Sequence, residues 1–282
     1  MVAEITLDDL GVPARSSAVL DAAHVGRVAA TLDADAPCDG DALPALWHWA
    51  FFTPTTVTAG LGADGHPHLA SPAMTPFPRR MWGAGRVQWE RDLRVGATAE
   101  RVSTVRSART TTGASGTLLL VVVDHEYHQD GVRCIGEQQT LVYRDPPADP
   151  VPLPVDAPAA EPPGGAWSTA RRPEPTLLFR FSAITFNTHR IHYDLPYARD
   201  VEGYPGLVVQ GPLTAMTVAA FVERSTGRRL SAYEFKATAP MFAGLRSTIV
   251  VAPPATDGTG TAEVLRNDGA VSMRVEYGLR GA

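Results

Sequence analysis

Hydrophobic and polar residues alternate along the chain in patterns that predict helices first and strands afterwards. The first half opens with two stretches of helical spacing, at about 16–32 and 42–52. Segments that alternate apolar and polar residues follow, and a period of two residues predicts strands. These strands are predicted at 79–90, 97–107, 117–128 and 133–143. The first half therefore reads as helices followed by a sheet.

The second half repeats this order around one strongly apolar helix. Residues 176–185 look like a strand, and the apolar spacing beyond them predicts a helix over about 212–225. This helix is apolar on nearly all sides, so we expect it to be enclosed. Further strands are predicted at 230–237, 245–252, 261–266 and 270–279. The sequence thus predicts an α+β fold in which each half wraps a sheet around a helix.

A proline-rich segment separates the two halves. Residues 146–166 contain prolines too densely for a helix or a central strand. We take 146–172 as a semi-rigid linker. The predicted division is an N-terminal domain at 1–145, this linker, and a C-terminal domain at 173–282.

Composition and charge exclude several classes of function. The net charge is −5 and no long basic run occurs, so nucleic acid is not an expected partner. The longest apolar run, 118–123, is too short to span a bilayer, and the N-terminus lacks signal-peptide features. Cys38 and Cys134 form no metal-binding pair, and Cys134 is expected in the core. We predict a cytoplasmic, reduced protein.

Lys236 is the only lysine, so arginines must recognise anionic groups.

Two motifs near the middle of the first half favour structural roles. Residues 60–65 match GxGxxG literally, but Pro67 follows at once and no helix opens there. A plain turn is therefore predicted rather than a dinucleotide site. His66 and His68 lie in the same glycine- and proline-rich stretch and are interpreted as part of a surface turn.

A third motif could ligate a metal ion but has a simpler explanation. Asp124, Glu126 and His128 would share one face of a strand. The run comes at the end of a very apolar strand, where polar residues commonly mark emergence into solvent. We interpret it as a solvated strand end and predict no metal site.

The stretch between Asn187 and Asp194 differs in kind. Within eight residues it contains an amide, two imidazoles, a guanidinium and a carboxylate, a density that packing does not explain. The chain then runs into Gly211, at the start of the enclosed helix. The first N–H groups of a helix lack partners within it and can bind a negatively charged oxygen. This stretch is the strongest candidate for a catalytic site.

These residues resemble the hydratase motif of MaoC-like enoyl-CoA hydratases and dehydratases. The motif spans 181–213, and Leu-Trp-His-Trp at 46–49 and Pro-Arg-Arg-Met-Trp at 78–82 resemble its two-domain branch. That branch includes mesaconyl-C4-CoA hydratases, itaconyl-CoA hydratases and fungal-type mitochondrial dehydratases. The resemblance implies a double hot-dog fold, with two sheets each wrapped around a central helix. It also implies hydration or dehydration of a short, dicarboxylyl enoyl-CoA thioester.

The resemblance also implies roles for individual residues. His192 matches the catalytic histidine and is expected to act as general base toward water. Asn187 stands where the wider group has an aspartate, and is expected to hold that water through its amide oxygen. The N–H of Gly211 is expected to bind the thioester oxygen. Substrate-binding roles are expected for Arg79, Arg80, Arg190, Tyr193 and Gln210.

Several alternatives stay open at this point. One alternative is a catalytically silent subunit that binds an acyl thioester. It stays open because Asn187 replaces the usual aspartate and Gln210 replaces the histidine common in the branch. A hot-dog thioesterase is another, and would need Asp194 or Glu202 to activate water. The sequence does not separate coenzyme A from an acyl carrier protein, and it leaves a homo-oligomer open. No cofactor is expected beyond the coenzyme A of the substrate.

Overall fold

The computed structural model describes residues 5–68, 77, 79–113, 116–144, 150–157 and 162–281. The strands are β1 (Arg15–Val19), β2 (Arg79–Trp89), β3 (Thr98–Gly113), β4 (Gly116–Gln129), β5 (Val132–Arg144), β6 (Trp167–Arg171), β7 (Leu230–Ala237), β8 (Ser247–Val251), β9 (Thr259–Arg266) and β10 (Val271–Leu279). The α-helices are α1 (Ala22–Leu32), α2 (Pro175–Ile184), α3 (Leu195–Asp200) and α4 (Gly211–Thr226). Pro78 and much of the predicted linker, 146–149 and 158–161, lie outside the described residues.

The strands form one antiparallel sheet whose order is symmetric about its centre. The order is β1-β3-β4-β5-β2-β7-β10-β9-β8-β6. Read inward from the two edges, the halves give β1-β3-β4-β5-β2 and β6-β8-β9-β10-β7, which is the same connectivity. β2 and β7 join the halves, with Ala84 opposite Lys236 and Arg86 opposite Glu234. The two expected sheets are therefore joined edge to edge into one, and each half of the chain supplies five of its strands.

Helix α4 is enclosed by the second half of the sheet, as its apolar residues predict. Leu213, Val218 and Val222 are almost fully buried. Tyr233 in β7 donates a hydrogen bond to the Ala215 carbonyl at 3.0 Å and so fixes the helix against the sheet. This places the first turn of α4 beneath the join between the halves.

Gly85 allows close packing at that join. Phe235 in β7 lies directly opposite Gly85 in β2, and a Cβ at Gly85 would come within 2.5 Å of the Phe235 ring. Phe235 packs against Trp49 and Trp82 with ring centroids 6.1 and 5.9 Å apart. Any larger residue at 85 would displace this aromatic group.

Three predicted elements are wrong. Segment 176–185 is helix α2 and not a strand: Pro175 starts it, and Leu178, Phe181 and Ser182 are buried at helical spacing. Segment 16–32 divides into β1 and α1, because the Asp21 side chain accepts the His24 N–H and caps a new helix.

Segment 42–52 contains only the 3₁₀ turn Trp47–Ala50, because Pro44 and the left-handed Leu46 (φ 68°) interrupt helical geometry. The predicted linker also contains an element that we did not foresee, since its end forms the edge strand β6. The other predicted strands and α4 are confirmed with ends shifted by at most two residues, except that β3 continues to Gly113, six residues beyond its predicted end. Among the described residues, no helix is long and apolar enough to cross a membrane.

Candidate active site

A cavity of about 600 Å³ is lined by residues of both halves. The second half contributes the catalytic segment (residues 187–192), of which all but Arg190 line the cavity, and the first residues of α4. The first half contributes Trp49, Trp82 and part of the glycine loop (residues 60–67). The polar stretch singled out in the sequence therefore faces a space large enough for a small acyl group.

His192 lies in this cavity with its protonation state fixed by the backbone. It ends the 3₁₀ turn Arg190–His192, and its Nδ1 donates a hydrogen bond to the Val208 carbonyl at 2.7 Å. A carbonyl only accepts, so Nδ1 holds the proton and Nε2 keeps a free lone pair. Burial lowers the pKa of His192 to about 4. The ring is therefore a neutral base at physiological pH.

The segment before α4 connects His192 to the helix N-terminus. The Val208 N–H donates to the Ile191 carbonyl and the Val209 N–H to the Met241 carbonyl, each at 2.9 Å. Gly211 follows as the first residue of α4 and lines the cavity. The base and the helix N-terminus are thus held on one short, doubly hydrogen-bonded segment.

Gln210 also lines the cavity, and its amide nitrogen is engaged by protein groups. Its Nε2 donates to the Leu178 carbonyl at 2.9 Å and to Ser182 Oγ at 3.0 Å. These bonds tie the start of α4 to α2. The predicted substrate-binding role of Gln210 stays a prediction, and its visible role is to position Gly211.

Asn187 shapes the turn that presents the next histidine. Its Oδ1 accepts the backbone N–H of His189 at 3.0 Å, and both residues line the cavity. The amide oxygen expected to hold water therefore already has one donor. Burial, together with the nearby His66 and His192, lowers the pKa of His189 well below its ordinary value.

His66 is where the sequence interpretation fails most clearly. It was predicted in a surface turn, but it lines the cavity with its ring centroid 4.2 Å from that of His189. His189 in turn lies 5.3 Å from His192. Asp64 Oδ2 accepts a hydrogen bond from His66 Nδ1 at 3.0 Å. Three imidazoles, one from the opposite half of the chain, therefore share this end of the cavity.

The glycine loop reaches the catalytic segment through backbone contacts. The Arg190 N–H donates to the Asp64 carbonyl at 2.9 Å, and Arg190 Nη1 donates to the Ala63 carbonyl at 2.9 Å. Thr188 Oγ1 donates to the Gly65 carbonyl at 2.5 Å. The literal GxGxxG is therefore a turn, as predicted, but one that docks against the site.

Arg190 and Tyr193 lie outside the residues that line the cavity. The Arg190 guanidinium pairs with Asp194, at 2.7 Å between Nη2 and Oδ2, in addition to its bonds to the glycine loop. Tyr193 is 44% exposed and donates to the Thr188 carbonyl at 3.0 Å. The structure shows both residues holding the catalytic segment in shape.

Gly65 is required by this close approach, and its replacement by alanine is expected to damage the site. Its φ is +88°, and a Cβ would lie 1.9 Å from the Thr188 carbonyl oxygen. Separating the loops by about 1 Å would lower kcat/KM by about 10²-fold. Gly131→Ala is the matched control, because Gly131 has a similar φ of +73° with nothing within 4 Å. Steady-state kinetics should show the loss in Gly65→Ala alone.

Arg79 and Arg80 both line the cavity but differ in their partners. Arg79 Nε lies 2.8 Å from Glu202 Oε2, and both side chains are largely buried. Arg79 therefore already has a carboxylate partner. Arg80 forms no ion pair within the described part of the chain. Burial lowers the pKa of His66 and of His189, and the positive charge of Arg80 adds to both shifts. Arg80 is thus the cation available to a ligand beside the imidazoles.

Below the first half of the sheet lies a buried polar cluster that the sequence did not reveal. The Glu137 carboxylate accepts hydrogen bonds from four side chains, His48, Trp49, Tyr127 and Gln139, at 2.8–3.1 Å. These donors outweigh the desolvation that would raise its pKa, and hold the pKa at about 2. His48 and Trp49 of the Leu-Trp-His-Trp sequence thus anchor this part of the cavity wall.

The strand end at Asp124 and Glu126 is paired with arginines. Asp124 Oδ2 lies 2.7 Å from Arg106 and Glu126 Oε1 lies 3.4 Å from Arg133. Cys134 is buried, as predicted.

Within the described ranges, the residues that could together hold a metal ion are Asp64, His66 and His189, whose ligand atoms lie within 4.8 Å of one another. In the structure Asp64 Oδ2 instead accepts a hydrogen bond from His66 Nδ1.

Comparison with known proteins assigns this arrangement to a family. The model of the hydroxyacyl-thioester dehydratase type 2 family matches residues 46–243. Mesaconyl-C(4)-CoA hydratase of Chloroflexus aurantiacus is 42% identical over 219 residues, which cover 76% of this chain and 77% of that protein.

Solved structures support the fold. A MaoC-like dehydratase from Phytophthora capsici aligns with a TM-score of 0.70 at 14% identity, over 99% of this chain and 100% of that one. A conserved hypothetical protein of Mycobacterium tuberculosis with a double hot-dog fold aligns with a TM-score of 0.60 at 15% identity, over 99% of both chains. The chain belongs to the hydroxyacyl-thioester dehydratase type 2 family and is a hydratase or dehydratase with a double hot-dog fold.

Proposed function

We propose that the protein hydrates a short dicarboxylyl enoyl-CoA thioester of the mesaconyl-C4-CoA or itaconyl-CoA type, or runs the reverse dehydration. The observation that carries this proposal is His192, which has its proton on Nδ1 and its lone pair on Nε2 in a cavity that meets the start of α4. The 42% identity to a mesaconyl-C(4)-CoA hydratase supports the substrate class.

The reaction needs one proton relay. His192 Nε2 takes a proton from water as the water oxygen bonds to C3, and the C2–C3 π electrons move toward the thioester carbonyl. The imidazolium then gives that proton to C2, which restores the carbonyl and the neutral ring. Burial lowers the pKa of His192, which favours release of the proton from the imidazolium in this return step.

The negative charge that develops on the thioester oxygen is expected at the N-terminus of α4. Gly211 presents a backbone N–H there, and the helix dipole favours negative charge at this end. A donor of this kind contributes about 10²–10³-fold to the rate.

The second carboxylate of the substrate is expected to bind Arg80. In mesaconyl-C4-CoA, the free carboxylate is bonded to C3, the carbon that receives water. The group that binds this carboxylate must therefore lie beside the imidazoles. Arg80 lies there and pairs with no carboxylate among the described residues. A guanidinium can bind a carboxylate in a bidentate manner. Arg79, paired with Glu202, is less suited to this role.

The thioesterase alternative finds less support in the contacts of its two candidate carboxylates. Asp194 pairs with Arg190 and caps α3 through the Tyr197 N–H. Glu202 pairs with Arg79. Neither is poised toward water beside the helix N-terminus, whereas His192 is. A silent binding subunit would have no need for a base held in one tautomer.

An absorbance assay of the enoyl thioester tests the proposal. Purified protein is incubated with mesaconyl-C4-CoA, itaconyl-CoA and crotonyl-CoA while free thiol is measured in parallel. We expect loss of the enoyl absorbance with the dicarboxylyl substrates, no release of thiol, and no effect of a metal chelator. Release of thiol would indicate a thioesterase, and binding without turnover a silent subunit. Acyl carrier protein thioesters in the same assay identify the carrier.

A further inference from the structure

The position that carries an aspartate in the wider MaoC-like group is an asparagine here, so the catalytic segment lacks a carboxylate at that position. Asn187 cannot exchange a proton, and its Oδ1 is engaged by the His189 N–H. His189 is buried and held by the same turn. A further imidazole enters the cavity from outside the catalytic segment, at His66, whose ring centroid lies 4.2 Å from that of His189.

The glycine loop supplies such a group. His66 lines the cavity, whereas Asp64 behind it does not. Asp64 Oδ2 accepts from His66 Nδ1 at 3.0 Å, and Asp64 Oδ1 accepts the His66 backbone N–H at 3.0 Å. The carboxylate thus fixes the ring in the tautomer that keeps Nε2 free, the same tautomer that Val208 imposes on His192.

We propose that His66, positioned by Asp64, is a second catalytic residue of the hydratase site and holds the attacking water together with His192. This inference rests on the proposed function. One O–H of the water faces His192 Nε2, which removes its proton, and the other O–H donates to His66 Nε2. When the water oxygen has bonded to C3, His66 accepts from the new hydroxyl group. His66 begins and ends the cycle neutral, so the proton balance of the reaction is unchanged.

The position of His66 is built into the fold and does not depend on one flexible side chain. Thr188 Oγ1, the Arg190 N–H and the Arg190 guanidinium all bond to carbonyls of the glycine loop. The charged and titratable groups that face His66 are Asp64 on its own loop, His189 and His192 on the catalytic segment, and Arg80 on β2. The first half of the chain therefore contributes a catalytic group as well as part of the cavity wall.

Kinetics of His66→Ala test this proposal, with His68→Ala as the matched control. His68 is an exposed histidine of the same stretch and lies outside the cavity lining. We expect kcat to fall by about 10²-fold in His66→Ala with little change in KM, and no change in His68→Ala. Added imidazole should restore part of the lost activity. The double variant with His192→Ala should be hardly slower than His192→Ala alone, because both residues act on one water.

Asp64→Asn provides a second readout and replaces His66→Ala if that variant does not fold. The Asp64 carboxylate favours the protonated form of His66, so its removal should move the acid limb of kcat/KM to lower pH. The proposal would be overturned if His66→Ala kept the wild-type kcat. It would also be overturned if imidazole did not rescue His66→Ala and the acid limb of kcat/KM in Asp64→Asn did not move. The proposed function is tested separately: if the wild-type enzyme is active and His192→Ala is inactive, that function holds even when the role of His66 is disproved.

Discussion

Replacing His192 with alanine is expected to lower kcat/KM for hydration by about 10²–10⁴-fold. The imidazole is the group whose Nε2 lone pair is directed away from its one backbone partner, the Val208 carbonyl at 2.7 Å. The variant leaves that carbonyl without its donor, so the free energy of unfolding should fall by only about 1–2 kcal/mol. Initial rates and urea denaturation measure the two effects separately.

His128→Ala is a suitable control for this prediction. His128 lies at the outer end of β4, where its contact is a 3.8 Å pair with Glu126. We expect its removal to leave kcat/KM unchanged. If His192→Ala instead unfolds the protein while its folded fraction keeps full activity, His192 is a core residue and the mechanism is wrong.

Replacing Glu137 with glutamine is expected to lower the free energy of unfolding by about 3 kcal/mol. Each carboxylate oxygen accepts two hydrogen bonds, Oε1 from Trp49 and Gln139 and Oε2 from His48 and Tyr127. The amide of glutamine would face two of these donors with its own N–H groups, and buried donors would lose their partners. Urea denaturation at pH 7 measures the loss.

The pH dependence of stability gives the same carboxylate a second test. Its pKa is about 2 in the folded protein against an ordinary value of 4.5. The unfolded chain therefore binds this proton first, and the stabilisation of about 3 kcal/mol is present above pH 4.5 and lost as the pH falls toward 2. Wild type should lose more stability over that range than Glu137→Gln. Glu126→Gln, at an exposed ion pair, should behave as wild type.

The second half of the chain could be predicted well because its signals are local. The apolar spacing that begins at Leu213 fixed α4, and the density of polar residues between Asn187 and Asp194 marked the catalytic segment. Helix α2 was missed because its short apolar run fits a strand as well as a helix. Only the burial of Leu178, Phe181 and Ser182 on one face separates the two.

The contribution of the first half could not be predicted because it depends on contacts between distant residues. His66 and His189 are separated by more than a hundred positions, and nothing near His66 in the sequence indicates that Gly65 packs against Thr188. Glu137 likewise stands alone in an alternating strand, and its donors His48 and Trp49 come from a different part of the chain. Local patterns indicate which residues have chemistry available, but tertiary packing decides which of them meet.

A crystal structure with a saturated dicarboxylyl-CoA, which cannot accept water, tests the central claim most directly. The account predicts that C3 lies within about 4 Å of His192 Nε2 and that the thioester oxygen accepts the Gly211 N–H at about 3 Å. An acyl group bound elsewhere, with His192 facing only protein side chains, would contradict it.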